Sequence, residues 1–402
     1  MRKAAVIVGD FLKKNIVFCI AVTAAITTMF FVPIDSQYIQ YFDFKILACI
    51  FCVLAVVNGL HHIHFFEIIS KKIIQRFHTV KMAVLALIYL TFVASMIIAN
   101  DLALITFLPL GYYLLKNSDN LKWMAFTFIM QTIAANLGGM LTPFGNPQNL
   151  YLYGKFQIPD LEFISTMFLP FLYSIILITI TCLIFVKSTP MKLTQVNSEK
   201  LDGKKTALMM GLLIISILIV FHGIPYYIGL LAVIGVLCFA DRKALLEVDY
   251  LLLFTFCAFF VFAGNMARIP EVRDFFGYLV QQNTFLYGIL TCQFISNVPS
   301  ALLLSNFVTD YKDLLYAVNI GGIGTLISSL ASLITFREYV KHEPKKGLRY
   351  LGLFTVVNVS FLGIHNRFET AILGRMDVAM FNRSCHVCNI KKLLKTQELF
   401  LK

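Results

Sequence analysis

Apolar stretches long enough to cross a lipid bilayer recur along this chain, for example at 15–32, 163–186 and 250–266. A helix needs about 20 apolar residues to cross the hydrocarbon core of a membrane. Hydrophobic residues make up 58% of the chain and charged residues only 14%, which is outside the range of soluble domains. The sequence therefore predicts an all-α polytopic membrane protein, with one membrane domain surrounded by the lipid bilayer.

The net charge of +12 comes from Lys and Arg residues that cluster between the predicted spans. In membrane proteins such clusters mark cytoplasmic loops, so the charge indicates topology and not a nucleic-acid partner. Arg2, Lys3, Lys13 and Lys14 precede the first span, which predicts a cytoplasmic N-terminus. We expect the protein to be integral to the cell membrane, meaning the plasma or inner membrane.

A short phrase occurs twice, each time inside an apolar segment. The first copy, NLGGMLT, covers 136–142, and the second, NIGGIGT, covers 319–325, which is 183 residues later. Asn, paired Gly and Thr are poorly suited to a helix that faces lipid. Two such interruptions in corresponding halves of a chain are typical of secondary transporters, in which helices break near the middle of the membrane. We therefore expect both phrases to be non-helical.

The loop charges thread the chain into about nine spans and two hairpins, arranged as two inverted repeats. The predicted order is an N-terminal repeat (1–187) with an inner re-entrant hairpin (82–115) and a broken helix (123–153), a cytoplasmic linker (188–205), a C-terminal inverted repeat (206–364) with an outer hairpin (284–308) and a broken helix (314–336), and a divergent tail (365–402). A pair of short spans is the alternative interpretation of 82–115.

Asp101 is the only acidic residue inside any predicted membrane segment, and it follows Asn100 at the expected tip of the inner hairpin. A carboxylate is costly at this depth, so intramembrane acids mark ion pathways and proton carriers. We predict that Asp101 binds the coupling cation or carries the proton. The alternatives are that Asp101 lies at the membrane interface, or that it caps the second helix of the hairpin.

The first interruption continues to residue 149 and contains too many glycines and prolines for one α-helix. Its freed carbonyls could coordinate a cation, and the half-helix that follows could offer N–H groups to an anion. The predicted site residues of this half are Asn136, Gly138, Gly139, Thr142, Gly145, Asn146 and Asn149, with Pro143, Pro147 and Gln148 in the same stretch. A packing kink lined by small residues is the alternative.

The second half has a polar tip and a matching interruption. The predicted site residues of this half are Ser296, Asn297, Ser300, Asn319, Gly321, Gly322 and Thr325. Ser328, Ser329 and Ser332 could join the site or could bond their own backbone. We expect the two tips to approach the breaks from opposite faces, around a central polar cavity that both tips line.

Two other clusters match metal motifs only in part. The histidines of HHIHFFE (61–67) do not share a helix face at i,i+4 spacing. Cys385 and Cys388 of the tail have no second ligand pair. We therefore predict no cofactor, and no metal beyond a possible coupling sodium ion near Asp101.

These motifs resemble those of the ion transporter superfamily, which includes citrate and dicarboxylate transporters, arsenite permeases and a family of sodium/proton antiporters. The resemblance is carried by IANDLALITFLPL (98–110), NLGGMLTPFGNPQNLYLY (136–153), QFISNVPSALLLSNF (293–307) and NIGGIGTLISSLASLI (319–334). It implies an inverted-repeat transport domain that moves as an elevator against a scaffold domain, usually within a homodimer.

The resemblance also implies that substrate and coupling ions bind between the hairpin tips and the helix breaks. Carried over to matching positions, it points to Asn100, Asp101, Asn146, Ser296, Asn297, Asn319 and Thr325. The dicarboxylate branch has a Ser-Asn-Thr phrase at its tips, where this chain has Ser-Asn-Val in one half and Asn-Asp in the other.

The sequence thus predicts a secondary active transporter of a small organic or inorganic anion, similar to citrate transporters and driven by a sodium or proton gradient. Two alternatives stay open. One is a sodium/proton antiporter in which Asp101 itself exchanges the ions, and the other is an arsenite-type efflux permease or channel. We expect no enzyme and no catalytic residue, because no Ser–His–Asp set or HExxH motif lies in the membrane segments.

Overall fold

Helices form most of the computed structural model of the protein, which describes residues 15–74, 76–190, 201–221 and 223–373. In chain order, the α-helices of these ranges are α1 (Ile16–Met29), α2 (Phe44–His62), α3 (Phe65–Ile74), α4 (Val80–Ile98), α5 (Asn100–Asn117), α6 (Met124–Gly138), α7 (Pro147–Lys155), α8 (Asp160–Phe185), α9 (Gly203–Val220), α10 (Tyr226–Ala240), α11 (Arg242–Leu246), α12 (Tyr250–Arg268), α13 (Pro270–Ile295), α14 (Asn297–Leu304), α15 (Tyr311–Ile320), α16 (Leu330–His342) and α17 (Gly347–Leu373). The prediction of an all-α fold is confirmed.

Several helical segments of the described ranges are long and apolar enough to cross a membrane. The seven are Phe44–His62, Val80–Ile98, Leu121–Leu141, Asp160–Phe185, Gly203–Val220, Arg242–Arg268 and Pro344–Phe368, and two shorter apolar helices are Val17–Met29 and Tyr226–Ala240. The polytopic membrane architecture is therefore confirmed. Val80–Ile98 meets the criterion although it belongs to the predicted hairpin, because length and composition do not separate an arm that turns back from one that crosses.

Acidic and hydroxyl side chains fix where several helices begin. Asp43, Asp249 and Asp310 accept a hydrogen bond from a first-turn N–H of α2, α12 and α15, and Thr79 does so for α4. Such a cap satisfies an N–H that the helix itself cannot bond, and it contributes about 1 kcal/mol. Polar residues just before the apolar runs therefore set the starts of the helices.

The last helix is longer than the sequence predicts. α17 continues to Leu373, past the predicted end of the span at 364, because no glycine or proline interrupts 365–373. The predicted tail therefore begins inside a helix. Cys385 and Cys388, like residues 191–200 of the predicted linker, lie outside the described residues.

The first arm of the predicted outer hairpin begins at a kink inside α13. Asn283 has non-helical φ and ψ of −164° and 95°, and its side-chain oxygen accepts a hydrogen bond from the Leu286 N–H at 2.8 Å. Asn283 thus restarts the helix as a cap would. The predicted start of this hairpin, at 284, lies next to the kink.

The two halves of the chain pack together through their hairpins and broken helices. The hairpin helices α4 and α5 pack on α6, and α13 packs on α14 and α15. Across the halves, α16 packs on α5 and α6, and α14 packs on α7. Elsewhere α2 packs on α9 and α10, and α12 packs on α1. The hairpins and broken helices thus form one bundle beside α1, α2 and α9–α12, and we call the boundary between these two groups the seam. The opposite membrane orientation of the halves stays a prediction.

Candidate functional site

The first tip is the junction between α4 and α5. Ala99 joins these helices with φ 68° and ψ 153°, a conformation that residues with a Cβ atom rarely adopt. The Asn100 N–H donates to the Gly145 carbonyl at 3.1 Å, and the Asn100 side-chain oxygen accepts from the Asp101 N–H at 2.9 Å. The backbone of the tip is therefore hydrogen-bonded to the interruption between α6 and α7, which we call the first break.

The second tip, between α13 and α14, repeats this geometry. Ser296 has φ 76° and ψ 158°, and the Asn297 N–H donates to the Ser328 carbonyl at 2.9 Å. The Asn297 side-chain oxygen accepts from the Val298 N–H at 2.9 Å. Backbone strain of this kind costs on the order of 1–3 kcal/mol and persists where surrounding contacts enforce it. Asp101 and Val298 therefore occupy equivalent positions in the two tips.

The first break begins later than the repeated phrase predicts. α6 continues through Gly138, so the first three residues of NLGGMLT are helical, and the expectation that the whole phrase is non-helical is wrong. A 3-10 turn covers Gly139–Leu141, and α7 begins at Pro147 with Asn146 at the N-cap position. The non-helical backbone thus lies between these two helices.

Gly138 serves packing instead of the break. A Cβ atom on Gly138 would lie 2.2 Å from the Phe92 carbonyl oxygen and 2.6 Å from Ser95 Oγ. Such distances are impossible for non-bonded atoms, so only glycine lets α4 approach α6 this closely. The same atom on Gly139 would lie 2.4 Å from Asn146 Oδ1, so Gly139 leaves room for the cap residue of α7.

The second break, between α15 and α16, departs from the same expectation. α15 ends at Ile320, so the first two residues of NIGGIGT are helical, and irregular backbone follows until Ser329, the N-cap of α16. Gly324 has a φ of 138°, which residues other than glycine rarely adopt. A Cβ atom on Gly322 would lie 2.9 Å from Asn297 Nδ2, so this glycine makes room for the second tip.

Hydrogen bonds cross between the two breaks. Asn136 Nδ2 donates to Ser329 Oγ at 3.3 Å, and Asn146 Nδ2 donates to Asn319 Oδ1 at 3.1 Å. Asn136 and Asn319 are related by the 183-residue offset, and so are Asn146 and Ser329. Asn319 Nδ2 also donates to Asn149 Oδ1 at 2.6 Å. All five side chains are buried, so this network joins the two halves in the middle of the bundle.

The threonines of the two phrases also occupy equivalent places. Thr142 Oγ1 donates to the Met96 carbonyl at 2.7 Å, and Thr325 Oγ1 donates to the Gln293 carbonyl at 3.0 Å. Each accepting carbonyl lies four residues before the asparagine of its tip. These bonds therefore tie the first arm of each hairpin to its own break.

The structure brings every predicted site residue to a tip or a break, but some bond mainly within their own half. Asn149 Nδ2 lies 3.2 Å from the Gly139 carbonyl and 3.3 Å from the Thr142 carbonyl. Ser300 Oγ donates to the Ser296 carbonyl at 2.7 Å, one helical turn away. These bonds stabilise the first break and the second tip.

Three buried polar atoms of the predicted site residues make no hydrogen bond among the described residues. They are Asp101 Oδ1, Asn146 Oδ1 and Asn297 Nδ2. By contrast, Asn100 Nδ2 donates to Asn136 Oδ1 at 3.2 Å. Buried polar atoms in proteins are normally bonded, so the three atoms are candidates for contact with a bound ion or substrate.

A cavity of about 310 Å³ opens beside the first tip, in the seam. We call it the tip cavity, and its polar lining consists of Asn58, His61, Asp101, Asn146, Glu247 and Asp249. It contacts Ala99 and Asp101 of the first tip and no residue of the second tip. The tip cavity is therefore lined by one tip, and a cavity lined by both tips stays a prediction.

Comparison with known proteins identifies the chain. The sequence model of a family described as "Citrate transporter" matches residues 4–331, which include both tips and both breaks.

This chain belongs to the citrate transporter family.

Two relatives extend this match. The uncharacterized transporter MJ0456 of Methanocaldococcus jannaschii is 34% identical over 296 residues, which are 73% of this chain and 81% of the relative. The inner membrane protein YbiR of Escherichia coli strain K12 is 27% identical over 326 residues, which are 80% of this chain and 87% of the relative. The predicted resemblance to citrate-type transporters is confirmed, and the protein is an integral membrane transporter.

In this member of the citrate transporter family, Asp101 is not a helix cap. Ala99 occupies the N-cap position of α5, without a side-chain cap hydrogen bond, and Asn100 bonds the Asp101 N–H. Asp101 lies in the first turn of α5, where the helix dipole favours a negative charge. The capping alternative is therefore excluded, and the carboxylate stands available to a ligand in the tip cavity.

Sequence reasoning missed two acidic residues of the transporter's tip cavity. Glu247 and Asp249 lie just before α12 and line the cavity together with Asp101. Asp249 also caps α12, since its side chain accepts from the Leu252 N–H at 2.9 Å. The available signal was an acidic pair directly before a span on the side where the inner hairpin was predicted to open.

The histidine cluster near the end of α2 makes separate contacts and forms no common site. His61 Nε2 lies 2.9 Å from Thr106 Oγ1. His62 lies between two carboxylates, with Nδ1 2.6 Å from Asp241 and Nε2 2.7 Å from Glu247. Within the described ranges, no group of three His, Cys, Asp or Glu side chains could hold a metal ion.

Proposed function

We propose that this transporter is a secondary active carrier that moves an anion together with a coupling cation, either sodium or a proton. The observation that carries the proposal is the pairing of two features in the tip cavity. Asp101 has a buried oxygen without a partner among the described residues, and Asn146 and Pro147 at the start of α7 line the same cavity. A carboxylate suits a cation, and a helix N-terminus suits an anion.

The anion is proposed to bind at α7 and not at α16, because the two half-helices begin differently. Ser329 caps α16 by accepting a hydrogen bond from the Ser332 N–H at 3.3 Å. Asn146 makes no such cap bond at α7, and its Nδ2 is instead bound to Asn319. Pro147 has no N–H, and the Asn149 N–H donates to the Asn146 carbonyl at 3.1 Å. The Gln148 N–H is therefore the first-turn donor of α7 that is left to a ligand, and the Asn146 side chain lies beside it.

The cation is proposed to bind at Asp101 and to be required for the anion. Glu247 and Asp249 line the same cavity, and Glu247 is paired with His62, so Asp101 and Asp249 are left to give the cavity a negative potential. An anion alone is repelled by such a potential, whereas an anion that follows a bound cation is not. Obligatory coupling would then arise from electrostatics within one cavity.

The first substrate to test is a small organic carboxylate such as citrate, with inorganic anions as the alternatives. The family name supports this choice. The volume of the tip cavity, about 310 Å³, lies at the low end of small-molecule sites, which favours a small ligand.

We further propose elevator-type movement along the seam, in a homodimer, with the N-terminus in the cytoplasm of the plasma or inner membrane. The tip cavity supports the movement because it is lined on one side by α5, α7 and α16 and on the other by α2 and α12. Large apolar side chains of α1 and the loop after it are exposed, including Ile20, Phe30 and Phe31. These face lipid or a second copy of the chain.

A sodium/proton antiporter is the second candidate. It is favoured by the three acidic residues of the tip cavity, since carboxylates are the groups that exchange these two cations. In that case the cavity would carry cations only, and the N-terminus of α7 would have no anionic ligand.

Purified protein in proteoliposomes separates these functions. Uptake of radiolabelled citrate, phosphate and arsenite is measured with a sodium gradient, with a pH gradient, and with neither. The proposal expects accumulation of one anion that depends on one of the two gradients. Sodium-driven proton movement without any anion would support the antiporter, and anion movement that ignores both gradients would support a channel or an efflux permease.

A further inference from the structure

A second cavity lies in the same seam and has the opposite charge. It has a volume of about 490 Å³ and is lined by Gln40, Tyr41, Phe42, Asp43, Phe44, Lys45, Tyr151, Lys155, Tyr226, Phe260, Ala263, Gly264, Leu302 and Asn306. We call it the lysine cavity. Its charged lining residues are two lysines and one aspartate, whereas those of the tip cavity are three carboxylates.

The two cavities share two helices. Along α7 and its N-cap, the tip cavity is lined by Asn146, Pro147 and Leu150, and the lysine cavity by Tyr151 and Lys155. Along α2, the tip cavity is lined from Cys49 onward and the lysine cavity by the residues up to Lys45. The cavities therefore follow one another along the seam, with α7 and α2 forming walls of both.

Lys155 is one of the two lysines of this cavity, and it contacts two neutral groups. Its Nζ donates to Asn306 Oδ1 and lies 5.7 Å from the centre of the Tyr151 ring. No described carboxylate forms an ion pair with Lys155, and an ammonium group has three donors. Asp43, the acid of the cavity, already accepts from the Ile46 N–H at 3.0 Å as the cap of α2.

The nearby arginine is compensated, in contrast to Lys155. Arg268 donates to Asp35 at 2.6 and 3.0 Å and to Tyr41 Oη at 2.9 Å. This hydrogen-bonded guanidinium holds the pKa of Asp35 below its usual value. Arg268 therefore stabilises the wall of the lysine cavity, and Lys155 is the group with donors to spare.

The wall that carries Lys155 joins the two halves of the chain. Lys155 is bound to Asn306, which follows α14, and Tyr151 Oη lies 3.1 Å from Ser305 Oγ. The opposite wall comes from α2, α10 and α12. As at the tip cavity, a group of the hairpin bundle thus faces a group of the other helices across the seam.

We propose that the lysine cavity is a second binding site for the transported anion, which Lys155 and Asn306 hold at the other end of the seam from the tip cavity. This inference rests on the proposed function. It adds to that function a second place where the anion binds, at the opposite end of the seam from the tip cavity. The anion carries a carboxylate or phosphate group that accepts from Lys155 Nζ and Asn306 Nδ2. We propose that this group belongs to a dissolved substrate, and the competing possibility is the phosphate group of a lipid.

The first test is chemical and needs no transport. Purified protein in phosphatidylcholine nanodiscs is treated with an acetylating reagent over a citrate series at constant ionic strength, and lysine modification is read by mass spectrometry. Citrate should slow modification of Lys155 at least about fivefold. It should not protect Lys312, an exposed lysine outside the cavity that pairs with Glu162. Equal protection of both lysines, or of neither, overturns the proposal.

The second test measures sided uptake by proteoliposomes. Lys155→Gln should raise the half-saturating citrate concentration about tenfold when citrate is offered from the lysine-cavity side, with the maximal rate within about twofold. Lys155→Arg should restore the affinity, which also shows that the site tolerates substitution. Lys312→Gln is the matched control and should transport like the wild type. An unchanged concentration dependence in Lys155→Gln contradicts the proposal.

The remaining outcomes separate the possible failures. If citrate protects Lys155 but no anion is transported, the site stands and the proposed function fails. If anions are transported but Lys155 is neither protected nor needed for affinity, the proposed function stands and this site fails. Protection of Lys155 by phosphatidylglycerol in the nanodisc, without citrate, would assign the cavity to a lipid headgroup and overturn the proposal.

Discussion

Each hairpin tip, together with the helix break to which it is bonded, forms a unit. The first and second units have the same backbone geometry but differ in their chemistry. Both tips turn on a non-glycine residue with positive φ, and both bond a break carbonyl through an asparagine N–H. The next residue is Asp101 in the first unit and Val298 in the second. The half-helix that follows the break is uncapped in the first unit and capped by Ser329 in the second. From this difference we infer that the proposed ligands bind at the first unit.

The largest effect on stability should come from the packing of α4 on α6 in the first unit. Gly138→Ala places a Cβ atom 2.2 Å from the Phe92 carbonyl oxygen, so α4 and α6 must separate. We expect the free energy of unfolding to fall by about 3 kcal/mol, with loss of most monodisperse protein in detergent. Size-exclusion chromatography and thermal unfolding measure this.

A matched glycine provides the control. A Cβ atom on Gly211, which lies inside α9, would have no neighbouring atom within 4 Å, and Gly211→Ala should stabilise the helix by up to about 1 kcal/mol. If Gly138→Ala is as stable as Gly211→Ala, the close approach of α4 to α6 is wrong.

The two half-helix starts should respond differently to the same substitution. Asn146→Ala removes a neutral ligand of the tip cavity, and we expect a roughly tenfold higher half-saturating substrate concentration. Ser329→Ala removes the cap of α16 and should cost about 1 kcal/mol of stability, with affinity within about threefold. Uptake kinetics and thermal unfolding of both variants check this. Reversed results would move the ligand site to the second unit.

The second tip should make a weaker contact with the substrate than Asn146 does. Asn297 Nδ2 is buried without a partner among the described residues, whereas its Oδ1 bonds the Val298 N–H. Asn297→Ala should weaken apparent substrate affinity about threefold, since one neutral group among several is lost. Uptake at a series of substrate concentrations measures it. A loss as large as that of Asn146→Ala would show that the two units share the ligand equally.

The smallest effect should come from relief of strain, and it should be the same in both units. Ala99→Gly and Ser296→Gly place glycine at φ values of 68° and 76°, which glycine adopts readily. We expect each variant to be stabilised by up to about 1 kcal/mol in thermal unfolding. Destabilisation of either by more than about 1 kcal/mol would mean that the Cβ atom there makes contacts that outweigh the strain.

Sequence reasoning reached the parts of this structure that local pattern determines. The apolar runs and their polar caps predict the helices, and the repeated phrase predicts that interruptions lie 183 residues apart. Asn100-Asp101 and Ser296-Asn297 were expected at tips, and the structure places a helix junction beside each pair. These features depend on residues close together in the chain.

The remaining features depend on contacts between distant segments. Gly138 was assigned to a break, but its neighbour is Phe92 on another helix. Asn136 and Ser329 are bonded across 193 positions. Glu247 joins Asp101 in the tip cavity although it lies in a different part of the sequence. No periodicity in one sequence encodes such pairings, because they follow from how the two halves pack.

The most direct test of the division between the two units is the ion dependence of Asp101→Asn. This substitution removes the charge and keeps the shape of the side chain. Accumulation driven by the sodium or proton gradient should fall at least about tenfold, while thermal unfolding stays like that of the wild type. Asp119→Asn is the control, because Asp119 is exposed in a turn with φ 56°, which asparagine tolerates. If Asp101→Asn accumulates substrate with unchanged ion dependence, coupling does not reside in the first tip, and backbone carbonyls at the two breaks must bind the cation instead.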